Sequence, residues 1–120
     1  MHPSKSVEEA LAESGASWRS VAPGEWGLVA PAGGRDLRVG LALRGGLLAA
    51  QAEVAPPGRV SEHALLHRNR TLRLVRFAHT AAGAVYVQGE IPEAAVGPAE
   101  VDRLLGLLVA AADELRGALG

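Results

Sequence analysis

A chain of 120 residues, 48% hydrophobic and 21% charged, has the size and make-up of a single folded domain: long enough for one core and too apolar to be disordered. A formal net charge of −1 excludes a global field that would draw in nucleic acid or an anionic membrane, so any electrostatic role must come from a local patch. The absence of cysteine removes disulfides, thiolate nucleophiles and cysteine-ligated zinc, and points to a cytoplasmic protein.

The opening segment, "MHPSKSVEEALAES", lacks the apolar stretch and cleavage site of a secretion signal. Ser6 with Glu9 three residues later reads as a capping box, and "SVEEALAESG" predicts a short helix with Val7, Ala10 and Leu11 on one side and Gly15 as its stop. From Ser17 the period changes to two. "SWRSVA", a "PGE" turn and "WGLVAP" predict a hairpin, and "AGGR" a second turn. The next strand alternates cleanly, with Leu37, Val39, Leu41 and Leu43 against Asp36, Arg38, Gly40, Ala42 and Arg44, so one sheet face is buried and the other wet. Gly45 and Gly46 turn the chain into "LLAAQAEV", whose apolar set is Leu48, Ala50, Ala52 and Val54, and "APPG" ends the meander.

Ser61 and Glu62 open a second helix that runs to about Asn69, a residue type suited to the left-handed conformation that ends a helix. Two more strands follow, "LRLVRFAHT" and "AVYVQGEIP", the second with Val85, Val87, Gly89 and Ile91 on one face and Pro92 at its end. Gly97 and Pro98 announce a C-terminal helix whose Val101, Leu104, Leu105, Leu108, Ala111, Ala112 and Leu115 keep helical spacing. Its most apolar run, Leu104 to Ala112, is too short to cross a membrane. Gly106 inside it marks either a close approach to the sheet or simple tolerance. The elements sum to an α+β domain over residues 1–120, in the order α-β-β-β-β-α-β-β-α, with a twisted antiparallel sheet of five to six strands flanked by helices. With so few aromatic residues, the core must be built from Leu, Val and Ala.

Few residues point to chemistry. His63 and His67 lie four apart on the second helix, a spacing that can hold a metal, but His2 and His79 are remote, so no metal site is expected. The two-glycine turns are not followed by the helix that a phosphate loop needs, and neither a nucleophile elbow nor a carboxylate pair is visible, so no enzymatic activity and no cofactor are expected. Arg68, Arg70, Arg73 and Arg76 form the one basic cluster. Such forks can bind phosphates, yet Arg68 and Arg70 fall at a helix end, where cations meet the dipole, and Arg73 and Arg76 have opposite parity on a regular strand.

The stretch "ALLHRNRTLRLVRFAHTAAGAVYVQGEIP" followed by "VGPAEVDRLLGLLVAAADEL" resembles the YbjN family of bacterial proteins, with Leu65, Leu66, Asn69, Leu74, Phe77, Glu90, Pro92 and Asp102 where that pattern puts them. The resemblance implies a type III secretion chaperone-like fold, often dimeric, and many members are called sensory transduction regulators without an established biochemical activity. The chain departs from the pattern at Arg68, usually an apolar position, and at "HTAAGA", where an acidic turn is common. The expected function is a non-enzymatic, protein-binding or chaperone-like regulatory module. The alternative is a nucleic-acid or anion binder through Arg68, Arg70, Arg73 and Arg76, an unlikely partner class at this net charge. Leu65 and Leu66 point in different directions from a short helix and cannot both bury against one sheet, so a homodimer that uses this pair is expected.

Overall fold

The computed structural model describes residues 2–120. Helix α1 (Pro3–Glu13) is followed by strands β1 (Ser17–Ala22), β2 (Glu25–Ala32), β3 (Arg35–Arg44) and β4 (Leu47–Ala55), helix α2 (Glu62–Asn69), strands β5 (Val75–His79) and β6 (Val85–Pro92), a short 3-10 turn (Glu93–Ala95) and helix α3 (Pro98–Leu119). The sheet is fully antiparallel in the order β1-β2-β3-β4-β6-β5. The first four strands form a meander because each link is a tight turn, and at the β3–β4 turn both Gly45 (φ 60°) and Gly46 (φ 78°) occupy the left-handed region that favours glycine. The chain then leaves β4 through α2, places β5 at the far edge, and returns with β6 in the gap.

Core residues come from one face of the sheet and one face of each helix. Leu37, Val39, Leu41, Leu48, Ala50, Ala52, Val85, Val87 and Ile91 face the same way as period two requires, and Val101, Leu104, Leu108, Ala112 and Leu115 of α3 lie against them. Leu43, expected in this set, is only half buried at the end of β3, though it packs against the core. β4 carries a bulge between Glu53 and Ala55, so consecutive residues Val54 and Ala55 both turn inward. Gly89 is crowded from two sides: a Cβ there would lie 2.7 Å from the Leu74 carbonyl oxygen and 3.1 Å from Leu104 Cδ1 of α3. Gly106, by contrast, is exposed with nothing near it, so it is tolerated and does not mediate an approach.

Two helix ends differ from the sequence expectation. α1 begins a turn before the Ser6–Glu9 box: Pro3 takes the first helical position, its φ already set, and His2 Nδ1 accepts a hydrogen bond from the Ser4 amide at 3.1 Å. Ser6 is thereby carried into the buried face beside Val7 and Ala10. Nor is Asn69 left-handed. α2 closes on Arg70 in ordinary helical conformation, and the one non-glycine residue with positive φ among the described residues is Leu74 (φ 66°), which folds the chain tightly enough for the Val75 amide to reach the Arg73 carbonyl at 2.7 Å. That turn shortens β5, leaving Arg73 outside the strand.

The C-terminal end of α3 is fastened to the sheet by Arg116. Its guanidinium donates to the Val54 carbonyl at 3.0 Å, to those of Ala32 and Asp36 at 3.1 Å each, and to that of Glu53 at 3.4 Å, tying the ends of β2, β3 and β4 to one side chain. Asp113, one turn earlier, accepts from the Gly33 amide at 2.6 Å. Gly33 (φ 61°) has to be glycine twice over, because a Cβ there would also overlap Arg116.

Candidate protein-docking surface

All three helices lie on or beside the core face, which leaves the opposite face of the sheet uncovered. Arg19, Gly27, Arg38, Gly40, Ala42, Gln51, Gln88, Glu90 and Arg76 alternate with the core positions there, and none is buried. The sheet's two edges are treated differently. On β5, Asn69 reaches across from α2: its Oδ1 accepts from the Phe77 amide at 2.8 Å and its Nδ2 donates to the Phe77 carbonyl at 3.0 Å, in the manner of a neighbouring strand. With the Val75 amide bound to Arg73, the first half of the outer side of β5 is covered.

β1 has no such guard. Among the described residues, nothing outside β2 is hydrogen-bonded to it, and four of its six residues are exposed. A bulge between Ser20 and Ala22 leaves Val21 unpaired and 59% exposed, lying over Gly27 on the open face. A free edge strand beside an uncovered face can accept an extended segment of another chain by main-chain pairing.

The arginines singled out in the sequence are not brought together. Arg76 pairs with Glu90 on the open face, with Nη1–Oε1 at 2.8 Å and Nη2–Oε2 at 3.3 Å, whereas Arg68 turns the other way, towards Glu114 of α3 at 3.9 Å. Arg70 caps α2 and Arg73 is exposed in the loop that follows. Of the leucine pair, Leu65 is 4% exposed in the core and Leu66 is 69% exposed, and both line a groove of about 320 Å³ with Asn69, Phe77, Ala78 and His79. His63 and His67 are exposed on α2, and among the described residues no three ligating side chains converge. No helix of the described residues is long and apolar enough to span a membrane. Sequence reasoning passed over the two features that distinguish the edges, Asn69 as an edge cover and Val21 as a bulge. Each depends on how its segment pairs with the next element of the chain.

This fold is similar to that of type III secretion chaperones. The fold superimposes on the chaperone SycH of Yersinia pestis, solved in complex with a stable fragment of YscM2, with a TM-score of 0.65 and 16% identity over 94% of this chain and 98% of that one. A chain of the HopA1–SchA chaperone-effector complex gives 0.64 and 11% identity, covering 92% of this chain and 87% of that one. A chain of the heterodimeric ExoU–SpcU complex of Pseudomonas aeruginosa gives 0.63 and 17% identity, covering 92% and 94%. At such identities the likeness is one of fold. No curated protein matches the sequence. The chain belongs to the YbjN family, described as "Putative bacterial sensory transduction regulator", whose model matches residues 3–120.

Proposed function

We propose that this protein is a non-enzymatic, chaperone-like regulatory module that binds an extended segment of another bacterial protein in the cytoplasm, residues 1–120 acting as one unit. The observation that carries this reading is the unguarded β1 edge beside an uncovered sheet face, on a fold whose solved relatives include chaperones bound to protein partners. A photo-cross-linking amino acid at Ser20, exposed on β1, should give specific protein adducts in the source cytoplasm, while the same group at Arg103 on the solvent face of α3 should not. Adducts that are absent at Ser20, or equal at both positions, would refute the assignment.

The same proposal includes a symmetric dimer formed at the other edge. Leu66 is a large exposed apolar side chain at the mouth of the α2–β5 groove, and a second copy would cover it through the same patch used twice. Sedimentation equilibrium should show a mass twice the 12.4 kDa of the chain, reduced to the monomer in Leu66→Arg. A monomer at tens of micromolar removes the dimer. A dimer that survives the substitution removes α2 from its interface.

A further inference from the structure

The open face carries four arginines, and their pairing is uneven. Arg44 is held by Glu25 at 2.8 Å and Arg76 by Glu90. Arg19 on β1 and Arg38 on β3 have no ion-pair partner among the described residues, including Glu53 on the next strand. Both line one recess of about 460 Å³ together with Ser17, Gly27, Val29 and Gly40. The floor of this recess is glycine main chain, because Gly27 and Gly40 are directly paired; Val21 packs over Gly27, 3.6 Å from where a Cβ would stand, whereas a Cβ on Gly40 would meet nothing within 4 Å. Neither glycine has a positive φ, so no turn requires them. Their consequence is open space over the sheet at Gly40, flanked by Val21 and beside two unneutralised guanidinium groups.

We infer that this shelf is the docking site for an extended acidic segment of a protein partner, its carboxylates held by Arg19 and Arg38. Charge complementarity argues for acid: two forked cations with no internal partner favour carboxylates in bidentate geometry. From ordinary strand spacing and rise, the two arginines stand about 12 Å apart at their Cα atoms, so acidic residues two to four positions apart in an extended segment would reach both. The apolar flank favours a peptide over a phosphate backbone, since Val21 and Val29 border the shelf and offer a surface to the aliphatic side chains of such a segment. This inference rests on the protein-binding reading and adds the chemistry of the segment bound.

Fluorescence polarisation tests it with a short labelled peptide of alternating Glu and Val, its Lys/Val counterpart and a labelled deoxythymidine oligomer. The full-length protein should bind the acidic peptide, more weakly as salt rises, and should ignore the Lys peptide. Replacing both arginines by glutamine (Arg19→Gln with Arg38→Gln) should weaken binding about tenfold or more, the scale of losing charge-assisted contacts, while Arg103→Gln should leave it unchanged. Gly40→Leu fills the shelf without backbone strain and should also weaken it; both arginines and Gly40 are exposed, so a melting curve close to that of the parent confirms that the variants fold. The inference falls if the parent does not bind the acidic peptide, or if the glutamine variant binds like the parent. It also falls if the oligomer binds as tightly with the same arginine dependence. A partner captured at Ser20 whose binding ignores Arg19 and Arg38 would overturn this site and leave the protein-binding reading standing.

Discussion

Replacing Arg116 by methionine keeps most of the apolar stem and removes the fork, which isolates what the guanidinium does. Three of its four hydrogen bonds are 3.0–3.1 Å long and one is 3.4 Å, all to carbonyl groups at the ends of three different strands. At roughly 1 kcal/mol net for each of the shorter bonds, a discounted figure because the side chain is half exposed, the loss is about 3 kcal/mol. With an unfolding entropy of roughly 2 cal/mol/K per residue, that lowers Tm by about 12 °C for a chain of this size. Burial of the guanidinium, and secondarily the neighbouring Arg35, lower its pKa. A base with a lowered folded pKa is protonated in both states at any pH below that value, so Arg116 adds no slope to stability there, and stability gains only as pH rises through the folded pKa towards the unfolded one. Thermal unfolding followed by circular dichroism at several pH values measures both quantities. Arg116→Lys, which retains one donor group, should fall between parent and Met. A Met variant within about 2 °C of the parent would show that the four contacts do not hold α3 to the sheet.

Asn69→Ala should cost about 1–3 kcal/mol, because it leaves both main-chain groups of Phe77 without a partner, and hydrogen exchange at the Phe77 amide should accelerate; unchanged protection would rule out the edge-covering role. Gly89→Ala should destabilise by about 1–3 kcal/mol in urea unfolding, since the added methyl meets the main-chain oxygen of Leu74, which cannot swing aside, and a neutral result would mean that β5 has room to move. Leu108→Ala, at a position with no exposure, should cost about 2–5 kcal/mol, and a loss below about 0.5 kcal/mol would contradict the helix phase of α3. Gly106→Ala should raise stability by about 1 kcal/mol in the same assay, and any decrease would mean that this face of α3 is not free.

What the sequence alone determined is whatever a local period or a turn residue specifies. Alternation over Leu37–Leu43 and Val85–Ile91 assigned the buried face of two strands, and the spacing from Val101 to Leu115 assigned the buried face of α3, because side-chain direction follows directly from the backbone repeat. Gly45–Gly46, Gly97 and Pro98 set ends and turns for the same reason. The resemblance carried by "ALLHRNRTLRLVRFAHTAAGAVYVQGEIP" and "VGPAEVDRLLGLLVAAADEL" also identified the family. Competing local signals misplaced the start of α1, where Ser6–Glu9 has the form of a cap but His2 and Pro3 start the helix first. Asn69 has the composition of a helix stop, and only a strand eight residues on makes it an edge cover.

Only the tertiary structure decided which edge of the sheet is guarded, which arginines are neutralised and where the sheet is bare. Arg76 and Arg38 look alike in sequence. One finds Glu90 across a strand pair fourteen residues away, and the other lies opposite Val29 and meets no carboxylate among the described residues. Ion pairs, bulges and strand order are set by contacts between segments distant in the chain, whose register follows from the packing of the whole sheet against α3. A linear pattern of residue types does not encode that register, and the partnering of each charged side chain depends on it.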